Sequence, residues 1–187
     1  MKKITMNLTG AMLLMSSVTT SHPHISGLAG WLSPFSGSGH VLAMLSVGAW
    51  GRQMGWQAAR LVPATFVCFM LLMGLTGFEY SGLMAPEITI PLSIVLPGFA
   101  IAVKHKPAVV IASALAGLSG IFHGYEIPLM QNKAAYTAGF LAATVVLHLT
   151  GILGSHLMMK INPGEQWLRL LGLLSALCGI CFLATAV

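Results

Sequence analysis

Six apolar runs of nearly membrane-spanning length follow one another along this chain, over residues 39–54, 61–78, 88–103, 108–126, 134–159 and 167–187. A helix needs about 20 consecutive apolar residues to cross a bilayer. Backbone in lipid must satisfy its own hydrogen bonds, so such runs read as helices. No long linker, repeat or low-complexity tract separates them, and the reading is one all-α membrane domain of about six transmembrane helices. Composition agrees. Only 7% of the residues are charged and 56% are apolar, whereas a soluble domain carries about a quarter charged residues. Pro91 and Pro97 interrupt the third run and predict a kinked or partly unwound helix there. Pro63, Pro86, Pro107, Pro128 and Pro163 fall near run ends, where the residue before proline resists helix.

Residues 1–21 have the layout of a secretory signal peptide, which leaves 22–187 as a single polytopic domain. Lys2 and Lys3 form a basic start, Ile4 to Val18 is modestly apolar, and Thr19 and Ser21 are small enough for cleavage before His22. The alternative is an uncleaved first helix, which Asn7, Thr9 and Gly10 weaken as a permanent anchor. With the mature N-terminus outside, the inner loops hold Arg52, Arg60, Lys104, Lys106, Lys160 and Arg169, and the outer loops only Lys133. That asymmetry follows the positive-inside rule and places the chain in a bacterial inner membrane with its mature N-terminus periplasmic. The net charge of +5 is spread singly or in pairs between apolar runs, which argues against nucleic acid as a partner. Cys68, Cys178 and Cys181 all lie inside apolar runs, and the CxxC of the last two reads as packing.

Ionisable groups inside apolar runs are costly and therefore candidates for function. Aspartate is absent, and the four acids are Glu79, Glu87, Glu126 and Glu165. Glu126 follows His123 by three residues in FHGYEIP, so both lie on one helix face. Pro128 puts the pair in a last helical turn, where free carbonyls favour a cation. Imidazole with carboxylate suits a divalent transition metal; a hydrogen-bonded His beside an interfacial Glu is the alternative. His148 sits mid-run in ATVVLHLTG, as a pathway ligand or as a neutral ring bonded to a neighbouring helix. His40 opens the first run, where a helix N-terminus keeps imidazole neutral and able to bind metal. Met44 lies one turn on, at a spacing that packing also explains. His22 and His24, beside the mature N-terminus, read either as an outer metal-capture site or as a solvated tail. His105, between two lysines, reads as solvated, and His156 as interfacial. Ala116, Gly120 and Gly124 form a small-residue stripe for close helix packing. There is no phosphate loop and no HExxH, and Ser36 and Ser38 sit among glycines that look like turn chemistry, so no enzyme activity is expected.

Taken together, GLAGWLSPFSGSGHVLAMLSVGAWG, FHGYEIP and GFLAATVVLHLTG resemble the HupE/UreJ family of nickel or cobalt permeases, over most of the chain and in the same order. The resemblance implies a signal peptide, about six spans and a role in metal supply to hydrogenase or urease maturation. It aligns His40 with the family's first-span histidine. His123, Gly124, Glu126 and Pro128 align with its HGxExP motif, and His148 with its fifth-span histidine. The family's first motif reads roughly HPxxGxDH, whereas this chain has Ser33 at the first histidine and Gly39 at the aspartate. Ser119 and Ile121 replace further histidines ahead of HGxExP.

The resulting expectation is a secondary permease for a divalent transition metal, nickel first and cobalt next. His40, His123, Glu126 and His148 line its path, with His22, His24 and Met44 as weaker candidates. No tightly bound cofactor is expected. The expected partners are the metal ion and the lipid bilayer, with a metallochaperone or a second copy of the chain. The competing expectation is a non-transporting protein of the same fold, acting in metal sensing or as an accessory in metalloenzyme maturation.

Overall fold

A computed structural model describes residues 23–76, 86–125, 127 and 133–186, and the secondary structure among them is helical with no strand. The elements are α1 (Pro23–Ser36), α2 (Ser38–Met54), α3 (Trp56–Thr76), α4 (Pro86–Ala102), α5 (Val109–Tyr125), α6 (Lys133–Met158) and α7 (Gly164–Ala186). The expected signal peptide and its cleavage point, His22, Glu79 and Glu126 lie outside the described residues.

Helices α2 to α7 begin and end within a few residues of the six apolar runs. Three segments, Trp56–Thr76, Ala134–Met158 and Gly164–Thr185, are long and apolar enough to cross a membrane; α4 and α5 are apolar but shorter. Large apolar side chains cover the outside of the bundle. Val110 is 79% exposed, and Leu75, Phe99 and Ile180 also face outward. A contiguous apolar exterior of this kind belongs in lipid rather than water.

The structure corrects three expectations. Helix α1 precedes the first apolar run, where no helix was expected and Ser36 and Ser38 read as turn chemistry. It ends at Gly37, whose extended backbone (φ −112°, ψ 115°) separates it from α2. Its cause is tertiary: a Cβ on Gly30 would stand 2.0 Å from the Tyr136 carbonyl, and one on Gly139 would stand 2.0 Å from that of Gly27. So α1 lies in direct backbone contact with α6. Second, Pro63 is not near a helix end, because α3 starts at Trp56 rather than near residue 61. The α2–α3 hairpin turns on Gly55, whose φ of +132° suits glycine alone, and helix resumes at once. Third, α4 runs unbroken through Pro91 and Pro97, without unwinding. It packs closely on α7, with Gly98 against Gly172 and Ala176, and Gly179 against Pro91 and Ile94. Continuous packing holds the helix where two backbone donors are missing.

Contacts fix the helix directions. Along α2 and α6, His40 faces Phe140, Gly48 meets His148 and Arg52 meets His156, so the two run parallel. Along α3 and α5, Phe66 meets Gly120 and Met70 meets Gly124, again parallel. The small-residue stripe of Ala116, Gly120 and Gly124 is thus the α5 face against α3. Helices α4 and α7 are antiparallel, since Ile101 meets Gly172 while Ile94 meets Gly179. Six helices therefore alternate in direction.

One end of the bundle gathers the basic residues. There Arg52 donates to Nδ1 of His156 at 2.9 Å and lies over the Trp56 ring. Trp50 donates to the His105 carbonyl at 3.1 Å, and Arg169 to that of Ala102 at 2.7 Å. Lys104 pairs with Glu165. Lys104 also closes α4 with a left-handed φ of 57°, while His105 N–H returns to the Ala100 carbonyl.

Candidate functional site

Four helices converge on a line of rings near the other end of the bundle. Helix α2 contributes His40 near its start, α5 contributes His123 in its last turn, α6 contributes His148, and α3 contributes Phe66. The His40 and His123 centroids are 4.8 Å apart with the rings nearly perpendicular. The Phe66 ring centroid stands 5.1 Å from that of His123 and 4.9 Å from that of His148. His123, Phe66 and His148 are buried, and His40 is half-buried.

The hydrogen bonds assign a tautomer to each buried imidazole. Ser93 Oγ donates to the Ile90 carbonyl at 2.6 Å, which uses its single proton. Its 3.0 Å contact with His123 Nε2 must then be one in which the imidazole donates. The His123 proton is therefore on Nε2, and the lone pair on Nδ1 has no hydrogen-bond partner among the described residues. In His148 the roles of the nitrogens are reversed. Nδ1 lies 2.8 Å from the Thr144 carbonyl, which can only accept, so His148 carries its proton there. Its Nε2 lone pair is likewise without a partner among the described residues.

Two buried basic nitrogens without partners are unusual, because buried polar atoms are nearly always satisfied. A neutral imidazole with one nitrogen fixed by a hydrogen bond and the other free has the form of a metal-ligating histidine. His40 adds a third ring. A Cβ on Gly37 would lie 3.2 Å from His40 Nδ1, so the absence of a side chain at the α1–α2 break lets that ring fold back over it.

The three histidines predicted from the sequence are thus brought into one line of contacts. They do not close on a single point: Phe66 contacts both His123 and His148, and no group of three His, Cys, Asp or Glu able to hold one ion is found among the described residues. Glu126, the predicted carboxylate, lies outside the described residues. Beyond it the chain is anchored again at Ile127, whose N–H bonds the Gly124 carbonyl and whose side chain packs on Gly74. Met44 is fully buried in the apolar core. His24 falls in the first turn of α1. His105 and His156 are both at the basic end, away from the line of rings.

Sequence reasoning missed Ser93 and Phe66. Ser93 had a signal, as a hydroxyl in an apolar run between two prolines. Phe66, one of eight phenylalanines, had none.

Gly39, where an acid was expected from the resemblance, faces α4. A Cβ there would meet Ile90 Cγ2 at 3.3 Å and Ile94 Cδ1 at 3.8 Å, on the same helix as Ser93. The position is beside the site, and two methyl groups flank it.

Comparison with known proteins covers nearly the whole chain. A family described as HupE / UreJ protein matches residues 10–182. The chain is 38% identical over 188 residues to Protein HupE of Rhizobium leguminosarum bv. viciae, spanning 97% of each. No solved structure matches it.

Proposed function

The chain belongs to the HupE/UreJ family, and from that premise we propose that it is a six-span secondary permease moving a divalent transition metal into the cytoplasm, nickel first and cobalt next. The observation that carries this reading is the pair of buried imidazoles, each with one nitrogen fixed and the other free, at His123 Nδ1 and His148 Nε2. Neutral nitrogens attract a borderline metal ion without holding it so tightly that it cannot leave. In this reading the His40 end faces the periplasm, as the gathering of basic residues at the opposite end favours. An inside-negative potential would then drive a dication inward by roughly 4–5 kcal/mol per 100 mV.

Accumulation of radioactive nickel and cobalt by expressing cells tests the proposal. His123→Ala and His148→Ala should each abolish most uptake. Glu126→Gln should impair it more than Glu87→Gln or Glu79→Gln, because glutamine keeps size and a carbonyl but removes the charge that offsets a dication. Wild-type accumulation no higher than that of cells lacking the protein would favour the sensing or accessory reading instead.

A further inference from the structure

We infer that Phe66 is the gate of the pathway, a ring that must swing aside for an ion to pass between the His40–His123 pair and His148. The inference rests on the transport reading above. The two unpartnered lone pairs lie on histidines that each contact Phe66. The ring is fully buried, with 0% exposure, so water does not reach it in this conformation. A hydrophobic constriction of that kind stops a hydrated ion, because shedding water against an apolar wall is costly. An aromatic face is nevertheless the apolar surface that a partly dehydrated cation meets at least cost.

The motion belongs to the side chain. The Phe66 carbonyl lies against α5, where a Cβ on Gly120 would come within 2.2 Å of it, so the backbone at this point is held between helices. Rotation about the side-chain torsions can move the ring without separating α3 from α5. His40 and His123 would then form the outer half-site and His148 the inner one. In the closed state an ion resting on the outer pair cannot reach His148, which is how a single ring can separate the two sides of a pathway.

The test is nickel influx into proteoliposomes holding the purified full-length protein, under an imposed inside-negative potential, with Phe66 changed to Ala, Leu and Trp. A gate predicts opposite responses: Phe66→Ala should raise the initial rate several-fold and also speed passive efflux, Phe66→Leu should do so less, and Phe66→Trp should slow both. A ring that merely fills the core predicts that Ala and Trp both lower the rate, and that result would overturn the inference. So would unchanged rates in all three. Leucine keeps most of the buried apolar volume, so it reports even if the alanine variant fails to fold, as judged by size-exclusion profile. Failure of the underlying reading looks different. Wild-type vesicles would then take up no more nickel than empty ones, and the gate would fall with it.

Discussion

The backbone carbonyl of His148 lies against Gly48, so close that a Cβ on that glycine would stand 2.3 Å from the oxygen. Helix α2 therefore fixes the depth at which α6 presents its histidine. Gly48 is eight residues beyond His40, about 12 Å along the helix axis. That one crossing relates the His148 imidazole to the His40–His123 pair.

Gly48→Ala should accordingly push α2 and α6 apart. We expect a loss of about 1–3 kcal/mol, typical of overpacking, and reduced metal uptake at matched expression. Gly154→Ala is the control, since nothing lies within 4 Å of a Cβ there. Thermal unfolding in detergent should show a lowered midpoint for the first variant and none for the second.

Ser93→Ala should weaken metal binding without emptying the core. It leaves the His123 Nε2–H buried without its acceptor, and loss of such an orienting partner typically costs 10–100-fold in metal affinity. Ser93→Thr retains a hydroxyl and should recover most of it. Cobalt titration of the purified variants, followed by its visible absorption, reads both effects.

Topology is tested by reporter fusions. Those after Lys104 or Lys160, residues of the basic end, should behave as cytoplasmic. Those near Lys133 should behave as external, and the reverse pattern would invert the orientation proposed above.

Placing an acid at position 39, where the resemblance implies one, tests whether Gly39 limits metal binding. Gly39→Asp, alone or with Ser33→His, should tighten divalent-metal binding by adding a charged oxygen ligand beside His40. The new side chain must displace the Ile90 methyl by a few tenths of an ångström, since its Cβ would lie 3.3 Å away. Uptake need not rise, because an ion held more firmly leaves more slowly. Equal affinity for nickel, cobalt, zinc and copper before and after the double change would argue that His40 is not at a metal site.

How much of this could be read from sequence depended on the range of the cause. Histidines stand out in apolar runs because burial makes them expensive, and His40, His123 and His148 were visible for that reason. The small-residue stripe on α5 was visible because its period is that of a helix. Helix α1 was not, because Gly27, Gly30 and Pro34 argue locally for a loop, and what makes them helical is α6, a partner far away in the chain. Pro63 misled for a local reason, because helix resumes directly after the turn at Gly55 and starts earlier than the apolar run does. Phe66 was hidden by its ordinariness: its significance lies in its two neighbours, which only the packing of α3 against α5 and α6 supplies.

The division of the two free nitrogens between α5 and α6 also bears on biosynthesis. His123 enters the membrane well before His148, and α2 waits for its parallel partner α6 until most of the chain has been translated. A nascent chain stalled after α5 holds His40 and His123 without His148. On the transport reading such a product lacks the His148 half of the pathway, so the site is complete only once α6 has packed against α2.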